Sequence, residues 1–206
     1  MWGREEERSS RARTWDLRRR LSSRMSPHTA LLLALALVGC TRAPDPAPAL
    51  ARADAAATRF ASTLKGKLQA AMREGGPVRA VAVCTTEARA VAAQVQSETG
   101  VRVGRASLRL RNPANAPPTW VSAWLTAQGQ RRAEGVTGVR AAEGGVARVL
   151  RPIAVEPVCV ACHGDPSAMS PALRDALRAA YPEDRATGYQ PGDLRGALWA
   201  EVAFAR

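Results

Sequence analysis

The chain has 206 residues, 46% of them hydrophobic, and a formal charge of +12; it is long enough for one ordinary domain plus a leader, and too apolar to stay unfolded. Such a charge would ordinarily point to nucleic acid or an anionic membrane. Residues 1–39 hold eight arginines and four acids, however, and without them 22 basic residues face 14 acidic ones, with the arginines scattered and not interleaved with aromatics, so a solvated basic surface is expected and no nucleic-acid partner.

The first 39 residues read as a leader. An apolar run from Ala30 to Val38 follows Arg-rich sequence; it is too short to span a bilayer and has the length of a signal-peptide core. Its end, Leu37-Val38-Gly39-Cys40, resembles the lipobox of bacterial lipoproteins, which makes Cys40 the expected lipidated first residue of the mature chain. Translation is expected to begin either at Met1, with Arg18-Arg19-Arg20 in the signal, or at Met25, which is favoured. Thr41 after the cysteine fits sorting to the outer membrane, on the periplasmic side of the envelope.

Residues 40–49 are rich in Pro and Ala and read as an extended tether; residues 50–206 form the folded domain. Ala57, Phe60, Leu64, Leu68 and Met72 recur at three-to-four spacing, which predicts an amphipathic helix over 51–73 ended by Gly75-Gly76-Pro77. A second helix is predicted from Val78 to about Ser97, with a strand as the alternative for its first residues. Val101 to Arg111 alternates like a half-buried strand, and the Asn112-to-Pro118 segment breaks it as a loop. Thr119 to about Gln130 predicts a short helix with Trp120 and Trp124 on one core-facing side. Strands are predicted at Gly135–Ala141, Gly145–Ile153 and Gly196–Phe204, with Gly144-Gly145 as a turn. Ser170-Pro171 caps a helix over Ala172–Ala180. The expected class is α+β: an antiparallel sheet flanked by helices.

The chemistry concentrates in few residues, because the chain holds four cysteines, at 40, 84, 159 and 162, and two histidines, at 28 and 163. Cys159-Val160-Ala161-Cys162-His163 has the spacing of a c-type haem attachment site. Two thiols three positions apart can add to the two vinyl groups on one porphyrin edge, while the next residue offers an imidazole to the iron. A thioredoxin-like dithiol would need its CxxC opening a helix after a strand, whereas this one precedes the Gly164-Asp165-Pro166 turn. A zinc site from Cys84, Cys159, Cys162 and His163 would require adjacent Cys162 and His163 to reach one ion. A disulfide across so short a loop is strained. One covalent haem c, with Cys159 and Cys162 as thioethers and His163 as ligand, is therefore expected.

His28 leaves with the leader, so a second histidine ligand is excluded in the mature chain. Met72, Met169 and Cys84 remain as candidates for the other side of the iron. Met169 lies only six residues after His163 and would have to wrap tightly around the ring, and Met72 sits at core spacing. Cys84 is the odd thiol in an oxidising compartment. Arg105, Arg109 and Arg111, on the strand leading to the Asn-Pro loop, are candidate partners for haem propionates.

The segments VRAVAVCTTEA (78–88), GRASLRLRNPANAPPTW (104–120), RPIAVEPVCVACHGDP (151–166) and YPEDRATGYQPGDLRGAL (181–198) resemble a bacterial family of single-haem c-type domains with a PAS-like fold. That family occurs as exported proteins and as the sensor end of signalling proteins. The resemblance covers about Leu50 to Arg206, departing at Val121, where an acidic residue is common. It implies a PAS-like domain and His163/Cys84 ligation, with a thiolate that lowers the reduction potential and loosens on reduction. Two functions follow: electron carriage in the envelope with a redox partner protein, or redox or gas sensing through a separate signalling partner. Electron carriage is favoured, because nothing in the sequence reads as a transmitter. No enzymatic site is expected, since no second histidine and no nucleophile-base pair is visible.

Overall fold

The computed structural model describes residues 44–204; Met25, Cys40 and the rest of the leader lie outside them. Helix α1 spans Ala47–Ala82. It starts inside the expected tether, because the Asp45 carboxylate accepts the Ala47 N–H at 3.0 Å and Ala49 and Leu50 are already buried. The boundary at residue 50 therefore moves back to Ala47. Gly75 and Gly76 break the helix, the latter at φ 65°, so the predicted stop is a kink after which the helix resumes at Pro77. Ala53, Ala57, Phe60 and Leu64 are buried along one stripe, and a fully buried Phe alone contributes about 2–3 kcal/mol.

The chain then stays helical, without the alternative strand. Val83–Glu87 forms a widened π-helical turn, and α2 follows over Ala88–Thr99. The widening has a local cause: Thr85 and Thr86 donate their hydroxyls to the carbonyls of Val81 and Ala82, at 2.8 and 3.0 Å, competing with backbone N–H groups for those acceptors. Gly100, at φ 69°, ends α2.

Four antiparallel strands follow: β1 (Arg102–Ala106), β2 (Val139–Glu143), β3 (Val146–Ala154) and β4 (Leu194–Ala203), in the order β1-β4-β3-β2. β1 stops well before Arg111, because the Ser107 hydroxyl accepts the Arg109 N–H at 3.1 Å and turns the chain. Gly144 and Gly145, both at positive φ, form the two-residue turn between β2 and β3 that the sequence suggested.

Helices cover both faces of the sheet, so the fold is α+β as expected. Leu198, Ala200, Val202, Val149 and Val103 pack against α1 and α2. On the other face Leu150, Ala197 and Trp199 meet helix α3, Thr119–Gln128. The predicted tryptophan face of α3 is only half right. Val121 and Leu125 are the buried residues, while Trp120 and Trp124 are partly buried at the edge. Trp120 keeps a polar rim because its indole N–H donates to Glu201 at 2.8 Å. Helix α4, Pro171–Ala180, begins at the predicted Ser170 cap, whose hydroxyl accepts the Leu173 N–H. Among the described residues no helix is long and apolar enough to cross a membrane.

Candidate haem site

The CVACH segment lies between β3 and α4 on two successive short turns, Pro157–Cys159 and Val160–His163. Cys159 and Cys162 are therefore three residues apart on helical backbone, which brings them to one side. Both are free thiols and partly buried, as is Cys84. Cys162 packs with Cys84, Val81, Met169 and Tyr181 in one apolar cluster; Cys159 packs with Val155, Ala186 and Tyr189 in another. Burial pushes the Cys162 thiol up, with the Arg111 charge pulling it back.

His163 is the best-defined group. Its Nδ1 lies 2.7 Å from the Ala186 carbonyl oxygen, so Nδ1–H donates and Nε2 carries the free lone pair. Burial, reinforced by the charges of Arg195 and Arg111, pushes its pKa down to about 2, which keeps the ring neutral and able to act as a ligand. The Tyr189 ring stands edge-on to it, centroids 6.4 Å apart.

The polypeptide from Tyr181 to Asp193 wraps this turn. The Gly188 and Tyr189 N–H groups donate to the carbonyls of Gly164 and His163 at 2.7 and 2.9 Å. Asp184 accepts the Ala186 N–H at 2.7 Å, fixing the turn that aims the Ala186 carbonyl. Arg111 ties the wrap to the motif: it pairs with Asp184 at 2.9 Å and donates to the Cys162 carbonyl.

The three arginines named from the sequence have different surroundings. Arg111 is bonded to the wrap and the motif. Arg109 donates to the carbonyls of Arg185, at 3.1 Å, and Thr187, with its guanidinium 4.3 Å from the Tyr189 ring centroid. Both hold protein acceptors. Arg105 is paired through its backbone in the β1–β4 ladder, its side chain makes no hydrogen bond or ion pair among the described residues, and its charge bears on His163 and Arg195.

Cys84 sits on the π-helical turn, and Tyr181 secures that turn by a 3.2 Å hydrogen bond from its hydroxyl to Thr85. Met169, weighed as a candidate ligand and set behind Cys84, is buried in the same cluster as Cys84 and Cys162, whereas Met72, read as a core residue from its spacing, is partly exposed and outside the core clusters. Among the described residues no three His, Cys, Asp or Glu side chains converge as a metal-binding group, which leaves the four-residue zinc site without support.

Sequence reasoning missed Asp184, Tyr189 and Arg195. All three lie in a segment quoted only for its resemblance, and its density of turn residues was the available signal. Arg195 falls one residue before the strand predicted at Gly196–Phe204.

A family model described as Tll0287-like matches residues 16–202. The chain belongs to the Tll0287-like family. A solved structure similar to it is that of the cyanobacterial heme-protein Tll0287, at 25% identity over 60% of this chain and 73% of that chain, with a TM-score of 0.48. No curated protein matches. The match to the family model takes in the whole CVACH turn, the wrap over 181–193 and the helix that bears Cys84.

Proposed function

We propose that this domain carries one c-type haem, which Cys159 and Cys162 would bond and whose iron His163 and Cys84 would hold, and that it relays electrons in the cell envelope. The observation that carries the reading is the CVACH turn itself. Two free thiols three residues apart precede a neutral imidazole whose Nδ1 is anchored on Ala186, leaving Nε2 as the donor. That donor set fits a haem attached through two thioethers. The solved relative is named a haem protein, which supports the same assignment.

Cys84 is supported by its place in one cluster with Cys162 and by the Tyr181–Thr85 bond that holds its turn. The haem, when bound, supplies one-electron exchange. The chain's own residues set its surroundings. Ala186 orients the imidazole, Arg111 and Asp184 brace the motif, and Arg105, whose side chain has no protein partner among the described residues, is the remaining candidate for a propionate.

The wider reading is a PAS-like domain tethered through a lipidated Cys40 on the periplasmic side of the envelope, at the outer membrane, exchanging electrons with a redox partner protein and catalysing no reaction of its own. Pyridine haemochrome spectra and intact mass after denaturation test the core of it. One haem per chain, retained on denaturation and lost in C159S/C162S, is the expected result; no covalent mass addition in the wild type would sink it.

One observation favours a second reading, a redox or gas sensor acting through a separate signalling partner. Cys84 lies on a π-helical turn, a feature that recurs at functional sites and suits a ligand that lets go on reduction. Ferrous spectra with and without carbon monoxide separate the two: a carbon monoxide adduct supports sensing, and an unchanged six-coordinate spectrum supports electron carriage.

A further inference from the structure

A cavity of about 380 Å³ opens beside Tyr189, and its wall includes Ser107, Arg109, Leu125, Arg131, Tyr189 and Arg195. None of the four cysteine and histidine residues of the haem site lines it. We propose that this cavity is a second ligand site, for a small organic carboxylate anchored on the guanidinium of Arg195.

Charge is the first argument. The acid on the wall, Asp193, is already engaged: it pairs with Arg132 at 3.0 Å and accepts the Gln190 N–H at 2.7 Å. Asp184, the other acid whose field reaches Arg195, is paired with Arg111. Arg195 itself has no ion pair among the described residues. It bonds one protein acceptor, the Arg109 carbonyl, at 3.3 Å, and its Nε is buried with no partner. Burial, with the repulsion of Arg105 and Arg111, pulls its pKa down to about 10, so it is still a cation at neutral pH. A partly buried guanidinium with no carboxylate partner and a buried, unbonded Nε is costly, and its planar fork is matched by a carboxylate.

The second argument is shape. The cavity is at the small end of the range for ligand sites, roughly 300–1,000 Å³. Leu125 and the Tyr189 ring supply apolar wall, which an inorganic anion would leave wet and a short carbon chain would cover. Arg195 lies over the Tyr189 ring at 5.2 Å, and Tyr189 meets His163 edge-on, so an anion here sits one ring away from the candidate haem ligand. The binding claim goes beyond the haem reading and does not depend on it.

Calorimetric titration of the full-length protein as isolated, with succinate and acetate at fixed ionic strength, tests it. Saturable binding of succinate is expected, weakened about tenfold in R195Q, the loss of one charge-assisted hydrogen bond, and by less in R195K, which keeps the charge. R178Q, at an exposed position of α4 outside the cavity wall, should bind like the wild type; circular dichroism verifies that each variant is folded. No saturable heat from either carboxylate overturns the proposal, and so does binding that R195Q and R195K leave unchanged. If the wild type takes no carboxylate but R195Q shifts the propionate bending mode in resonance Raman spectra, Arg195 serves the cofactor's own carboxylates and the second site is overturned. Succinate binding by a protein without covalent haem would sustain this site and sink the haem reading.

Discussion

Arg111 and Asp184 meet in a 2.9 Å ion pair with only 10% and 12% of their side chains exposed, and the same guanidinium holds the Cys162 carbonyl. A segment 73 residues further along the chain is thereby locked to both the loop that follows β1 and the CVACH turn. Removing one member of a buried pair leaves the other charge stranded, at about 3–5 kcal/mol. D184N should therefore lower stability by about 3 kcal/mol in urea unfolding at neutral pH. It should also alter the haem spectrum, because the Ala186 carbonyl that orients His163 loses its anchor. A stable variant with an unaltered spectrum would reduce the pair to a surface feature.

The second ligand can be decided by exchange. Cys84 and Met169 share one cluster, so position alone does not choose between them. C84A should retain covalent haem and change the ferric spectrum, while M169L should leave it as in the wild type. The reverse pattern would transfer the role to Met169. Because Cys84 is partly exposed, C84A should cost under about 1 kcal/mol, keeping the spectral result readable.

Gly104 faces Trp199 across the β1–β4 pair. A Cβ built at Gly104 would lie 2.7 Å from the indole ring, against a side chain packed between Trp120 and the sheet. G104A should destabilise the domain by about 1–3 kcal/mol through overpacking and perturb the near-UV tryptophan signal, leaving haem attachment intact.

Asp54 on α1 receives Arg151 at 2.7 Å and Arg140 at 3.1 Å. Burial alone would raise its carboxyl, but the two arginines outweigh that and hold it below the usual range. A depressed folded pKa means stability present above the unfolded value of about 3.9 and lost as pH falls through the folded one. The pair is partly exposed, so the effect is under about 1 kcal/mol. Urea midpoints of wild type and D54N should differ at pH 7 and converge near pH 2; a gap that persists at low pH would show that the carboxylate's charge is not the cause.

Much of the fold was legible because local signals agreed with the tertiary outcome. Gly75-Gly76-Pro77, the Ser170 cap and Gly144-Gly145 each mark a boundary through backbone chemistry that needs no partner. Where tertiary contacts decide, the sequence was silent or misleading. β1 ends at Ala106 because Ser107 folds back on Arg109. Val121, not Trp120, takes the buried place on α3, since an indole with its N–H on Glu201 is better placed at the rim. The CVACH residues could be read from spacing alone, but nothing in spacing reveals that Arg111 would seek Asp184, or that Arg195 would be left with one carbonyl. Those facts come from the wrap, which only the folded chain brings into place.

The sheet order β1-β4-β3-β2 also bears on how the domain can close. The strand that joins the two halves of the sheet, β4, is the last of the four along the chain, and the wrap over the CVACH turn immediately precedes it. A polypeptide arriving from its N-terminus presents both thiols and the imidazole while the strand that completes the sheet is still to come. Because that closure needs contacts between residues far apart in sequence, a haem joined to the two thiols before it, on the function proposed above, would be enclosed by the last strand rather than admitted through it.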